Sequence, residues 1–148
     1  MYTHILIATD GSELADKGME HGLKLASVLG ARVSVLTVSE PLSTEAAFAA
    51  RSGGVRDPAG RYDQQIDAMM KERFAAIEKR AAAHGVSVSF MHEIDVSPAE
   101  AIVRFATMQG CDLIVMSSHG RRGARRLVLG SQTAEVVSTT TIPVLVVR

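Results

Sequence analysis

Short apolar runs alternate with longer stretches of helical period along the whole chain. Five runs are rich in β-branched residues: Ile5 to Ala8, Val33 to Val38, Val86 to Phe90, Leu113 to Met116 and Val144 to Val147. Near-continuous runs of this length suit strands buried on both faces of a parallel sheet, whereas Val86 to Phe90 alternates and reads as an edge. The stretches between them carry helix signals. Ser12 is placed to cap a helix running to Leu29, with Leu14, Gly18, His21, Gly22, Leu25 and Leu29 tracing one face and Gly30 as its stop. A second helix is predicted over Arg61 to Ala83, ahead of Gly85. A third opens at Ser97-Pro98, a cap residue followed by proline at the first helical position, and closes at Gly110. Gly130-Ser131 opens a fourth that runs to about Thr139.

The order βαβ, αβαβ, αβ, with loops between the groups, predicts five strands and four helices in an α/β, doubly wound parallel sheet with helices on both faces. One domain over residues 1–148 accommodates it. The stretch from Ser39 to Gly60 breaks the pattern with Pro41, Gly53-Gly54, Pro58 and Gly60. It is expected to be a long flexible loop, within which Ala46 to Ala50 can form a helical turn or two.

Charge changes the picture little: 16 basic residues balance 16 acidic ones. Net charge therefore gives no case for nucleic acid or an anionic membrane as partner. No apolar run approaches the roughly 20 residues that span a bilayer, and the start, Met1-Tyr2-Thr3-His4-Ile5, has no basic region leading into an apolar stretch. A cytoplasmic location is the expectation. The single cysteine, Cys111, precedes an apolar run and reads as a buried structural thiol.

In an open α/β sheet, ligands bind beyond the carboxyl ends of the strands, where strand order reverses. Two segments belong there: Thr9-Asp10-Gly11-Ser12 after the first strand and Ser117-Ser118-His119-Gly120 after the fourth. The second continues through Arg121, Arg122, Arg125 and Arg126 to Gly130-Ser131 at a helix start. Glycines let backbone approach a ligand closely, and the free N–H groups and positive dipole end of the last helix suit phosphate. A structural turn capping that helix is the competing reading.

Ser117-x-x-Gly120, nine residues, then Gly130-Ser131 resembles the nucleotide motif of the universal stress protein family, Gly-x-x-Gly-(nine)-Gly-Ser/Thr. Ala8-Thr9-Asp10-Gly11-Ser12 is similar to that family's opening, Cys111 to Met116 to its fourth strand, and Thr141 to Arg148 to its closing strand. The resemblance spans the chain and implies strand order 3-2-1-4-5 and ATP, with Mg²⁺ held more by phosphates than by protein carboxylates. It implies that Ala8, Thr9 and Asp10 lie near the nucleoside, with the Asp10 carboxylate accepting from a ribose hydroxyl. Val38 and Met116 would pack on adenine at the ends of their strands. Ser117, Gly120, Gly130, Ser131 and Gln132 would surround ribose and phosphates, largely through backbone N–H groups, with Arg121 reaching a phosphate. It also implies a homodimer joined antiparallel through Ile142, Pro143, Val144, Leu145, Val146 and Val147, an apolar edge that invites pairing. Two positions depart from the pattern. Ser117 replaces the first motif glycine, which matters if that position needs φ > 0 or has no room for a Cβ. Val96 stands where glycine often precedes the Ser-Pro helix start.

Taken alone, Asp10 reads as a metal ligand, a ribose acceptor or a turn element. His119 has no nucleophile or carboxylate placed beside it by local sequence. His4, His21, His84 and His92 lack metal-ligand spacing, and Met69-Met70 fits helix packing better than a cofactor site. The arginines lack the aromatic platform that single-stranded nucleic acid prefers, since the chain has no Trp, four Phe and two Tyr. The leading reading is an ATP-binding regulator or sensor in a stress response, with slow hydrolysis at most. The alternatives are a dimeric interaction module without nucleotide, or an ATPase on the same scaffold.

Overall fold

The computed structural model describes residues 1–119 and 128–148. The chain runs β1 (His4–Ala8), α1 (Glu13–Leu29), β2 (Arg32–Ser39), α2 (Thr44–Ser52), α3 (Pro58–Ala83), β3 (Val88–Ile94), α4 (Pro98–Gln109), β4 (Leu113–Ser117), α5 (Ser131–Thr139) and β5 (Val144–Val147). All neighbouring strands pair parallel in the order β3-β2-β1-β4-β5, the predicted order, with β1 at the centre. The alternating run does form an edge strand, but it starts two residues later than expected and extends to Ile94.

The two-residue repeat of a strand sends successive side chains to opposite faces, and two cores result. Ile5, Ile7, Val33, Val35, Leu113 and Val115 face α1 and α3, meeting Met19, Leu23, Ile77 and Ala81. Leu6, Ala8, Leu36, Ile114 and Met116 face the other way, against Ile102, Phe105, Ala106 and Val136 of α4 and α5. On the first face, Phe74 of α3 stacks on Phe90 of β3 with ring centroids 4.7 Å apart. Both faces are covered, which is why the central strands tolerate unbroken apolar runs.

Among the described residues five helices form where four were predicted. The added one, α2, lies in the stretch from Ser39 to Gly60, around the Ala46 to Ala50 patch expected to form a helical turn or two, and α3 begins at Pro58, so helix replaces much of the expected loop. Ser43 caps α2 by accepting from the Ala46 N–H, and Asp57 caps α3 by accepting from the Gly60 N–H ahead of a proline in the first turn. None of the α2 side chains is buried, so the helix has no apolar stripe for a periodicity argument to find.

Candidate functional site

At the carboxyl ends of β1, β2 and β4 the helices diverge and leave a cavity of about 810 Å³. Its floor is built from strand ends: Ala8, Thr9 and Asp10 after β1, Leu36 to Glu40 along β2, and Met116 and Ser117 of β4. Pro98 and Ile102 of α4 and residues Gly130 to Thr133 at the start of α5 form one wall. The opposite wall is the first half of α3, through Tyr62, Gln65, Ile66, Met69, Met70 and Arg73. A cleft of this size with apolar walls and a few converging polar groups is the usual form of a small-molecule site.

The β1–α1 turn is held by its own side chains. Thr9 Oγ1 accepts from the Gly11 N–H over 3.2 Å, Asp10 Oδ1 accepts from the Ser12 N–H over 3.0 Å, and Ser12 Oγ caps α1 through the Ala15 N–H over 3.1 Å. Gly11 takes φ 75°, a left-handed conformation that favours glycine. Across the crevice, the N-cap of α5 is Gly130, which has no side chain to cap the first-turn amides. Three or four amides at such a helix start lack partners within the helix, and together with the helix dipole they favour an anion. The Gly130 N–H donates to the Ser118 carbonyl oxygen over 2.7 Å, fixing the start of α5 beside the end of β4.

Ser117 extends β4 one residue past Met116, as Ser39 extends β2 past Val38. Among the described residues other than glycine, only Asp57 has positive φ, so Ser117 needs no glycine on conformational grounds. Its hydroxyl donates to the His119 carbonyl oxygen over 2.8 Å. Of the residues expected at a nucleotide site, Ala8, Thr9, Asp10, Val38, Met116, Ser117, Gly130, Ser131 and Gln132 converge on this one cavity. Gly120 and Arg121, with Arg122, Arg125 and Arg126, lie outside the described residues.

Gln132 has a second task. Its Oε1 accepts from the Ala99 N–H over 3.0 Å and so caps α4, whose own N-cap Ser97 makes no side-chain cap bond. The Asp95 carboxylate also secures that helix start by accepting from the Ser97 N–H over 2.8 Å. That bond first, and then Arg104, hold the Asp95 carboxyl below its usual range. His119 bonds Ser118 Oγ through Nδ1 over 3.1 Å and is absent from the described lining.

Sequence patterning alone missed the α3 wall. Met69 and Met70 line the cavity, Met70 almost fully buried, instead of serving only to pack helix on sheet. Thr37 also joins the lining, and its buried Oγ1 has no hydrogen-bond partner among the described residues, leaving a polar atom at the β2 side of the cavity. Beside it, Ser39 Oγ pairs with His92 Nε2 over 2.9 Å. Among the described residues no group of three His, Cys, Asp or Glu side chains is arranged to hold a metal ion. No described helix is long and apolar enough to cross a membrane.

Comparison with known proteins agrees with this architecture. The profile of the universal stress protein family (Usp) matches residues 1–148. Universal stress protein YxiE of Bacillus subtilis is 31% identical, with all of both chains covered. The solved structure of MJ0577, a universal stress protein of Methanocaldococcus jannaschii, superimposes with a TM-score of 0.81 at 27% identity, covering 99% of this chain and 96% of that one. A universal stress protein solved in complex with cAMP has the same fold, with a TM-score of 0.69 at 22% identity over 99% of this chain and 97% of its own. With the family profile matched from end to end and the parallel sheet in its predicted order, the chain belongs to the universal stress protein family.

Proposed function

We propose that this protein binds an adenine nucleotide, ATP with Mg²⁺, in the cavity above the strand ends and acts as a nucleotide-dependent regulator or sensor in the cytoplasm. The observation that carries the reading is the convergence, in one cavity of about 810 Å³, of an apolar slot, a carboxylate and a helix start with glycine at its N-cap. Val38 and Met116 offer the apolar surface for a purine, and the Asp10 carboxylate offers an acceptor for a ribose hydroxyl. The amides of Ser131, Gln132 and Thr133 offer donors to phosphate. The fold is compatible with such a ligand, since a relative of the same fold is solved with cAMP. Mg²⁺ fits as a partner of the phosphates, because it keeps several waters and takes few protein ligands. The reading assigns no catalytic residue.

The same reading includes a homodimer. β5 forms one edge of the sheet, and its residues Val144 to Val147 are half-buried in the single chain. Antiparallel pairing of two copies through Ile142 to Val147 would satisfy that edge. Mass measurement by light scattering tests it, with a monomer mass at micromolar concentration as the adverse result.

The nucleotide reading is tested by extracting ligand from purified protein and by calorimetric titration with ATP and Mg²⁺. Co-purifying adenine nucleotide or saturable binding supports it; neither, up to millimolar ATP, overturns it. One observation favours the alternative of an interaction module without nucleotide: α2 buries no side chain and leaves Phe48 74% exposed, as a docking helix would. That alternative predicts partner capture that is indifferent to ATP and lost on Phe48→Ser.

A further inference from the structure

Arg73 reaches from α3 across the β1–α1 turn. Its Nη1 donates to the Asp10 carbonyl oxygen over 3.3 Å, and its half-buried side chain lines the cavity. The guanidinium lies directly against Gly11, where a methyl group would overlap it. Glycine is favoured at position 11 by its φ of 75°, and a Cβ there would push the Arg73 guanidinium aside. Among the described lining residues, Asp10, Glu40 and Arg73 carry the charged side chains, and Arg73 is the cation.

Resting on the nucleotide reading, we propose that Arg73 is a binding residue that distinguishes phosphorylated nucleotides from the bare nucleoside. A planar guanidinium with five donors suits phosphate oxygens, and its partial burial beside a low-dielectric wall strengthens each charge-assisted bond. Arg73 stands on the α1 side of the cavity and the first-turn amides of α5 on the other, so a polyphosphate between them is met by donors from both sides. Apolar contacts at Val38 and Met116 act on the base whatever the phosphate count. Arg73 responds to charge alone. Selectivity for phosphate then depends in part on α3, an element with no part in the glycine-rich motif.

The test is calorimetric titration of the wild-type protein, Arg73→Gln, Arg73→Lys and Gly11→Ala with ATP, AMP and adenosine. Arg73→Gln should weaken ATP about tenfold or more, the usual value of a charge-assisted hydrogen bond, and adenosine less than about twofold. Arg73→Lys should recover part of the loss, because the charge returns without the planar fork. Gly11→Ala should reproduce the ATP loss with Arg73 still present, and the double variant should lose little more than Arg73→Gln alone. The ATP affinity of the wild type should also fall more steeply with salt than that of Arg73→Gln. Equal losses for ATP and adenosine would make Arg73 a prop for the turn and overturn the proposal, as would unchanged ATP affinity. If the wild type binds neither ATP nor adenosine, the nucleotide reading itself falls and takes the proposal with it.

Discussion

The Thr133 hydroxyl donates to the Ser117 carbonyl oxygen over 2.9 Å in a buried setting. This bond pins the first turn of α5 to the last residue of β4, so the amide end of the helix is fixed relative to the cavity floor. Thr133→Val keeps the shape and removes the donor. It should cost about 1 kcal/mol in urea unfolding and weaken ATP by about fivefold, with circular dichroism unchanged.

Ser117 departs from the motif glycine without strain, and its hydroxyl is engaged by the His119 carbonyl. Ser117→Gly should therefore leave ATP affinity within about threefold while lowering stability by about 1 kcal/mol, through the lost bond and the added backbone freedom. Titration and denaturation on the same variant check both. A gain in affinity above about tenfold would instead favour the interaction-module reading.

Burial raises the Cys111 thiol to about 11, with the Asp112 charge adding to the effect. At pH 8 almost none of it is thiolate, so the folded protein should resist Ellman's reagent for hours and react stoichiometrically in denaturant. Rapid labelling of the native state would contradict the buried position.

Asp112 fastens the start of β1. Its carboxylate accepts from the Thr3 N–H at 2.8 Å, the Thr3 hydroxyl at 2.8 Å and the His4 N–H at 3.0 Å. Burial alone would raise its pKa, but these bonds outweigh it and hold the carboxyl below the usual range. A depressed folded pKa gives stability that is present above the unfolded value, about 4, and is lost as pH falls through the folded one. Asp112→Asn should thus destabilise the protein at pH 7, and the difference should shrink towards pH 3. A difference that stays constant across that range would refute the linkage.

The sheet was legible because burial on both faces writes itself as unbroken runs at β1 and β4, and the Ser-Pro and glycine signals marked helix ends. α2 was anticipated only as a helical turn or two at Ala46 to Ala50, because it buries no side chain and so imposes no period on the sequence. The cavity wall from α3 escaped for another reason. Met70, Ile77 and Ala81 lie on one helical stripe, and periodicity identifies a stripe without saying whether sheet or open space faces it. Gln132 fell into the motif by position, yet its cap on Ala99 joins residues 33 apart in sequence, which no local pattern records. The family motif located the β1, β4 and α5 contributions, while Arg73 and Thr37 became visible only once β2 and α3 were placed beside them.

α3 lives two lives along its length. Ile77 and Ala81 are locked into the core with Val33 and Val35, and Arg80 ties that end to Asp16 of α1 over 3.2 Å. The stretch from Tyr62 to Arg73 faces the cavity instead. Amide protons should therefore exchange progressively faster from the anchored end of this helix towards Pro58, and filling the cavity should slow the fast end first. One rod, clamped at one end and resting on the cavity contents at the other, turns occupancy into a gradient of rigidity along the outside of the molecule.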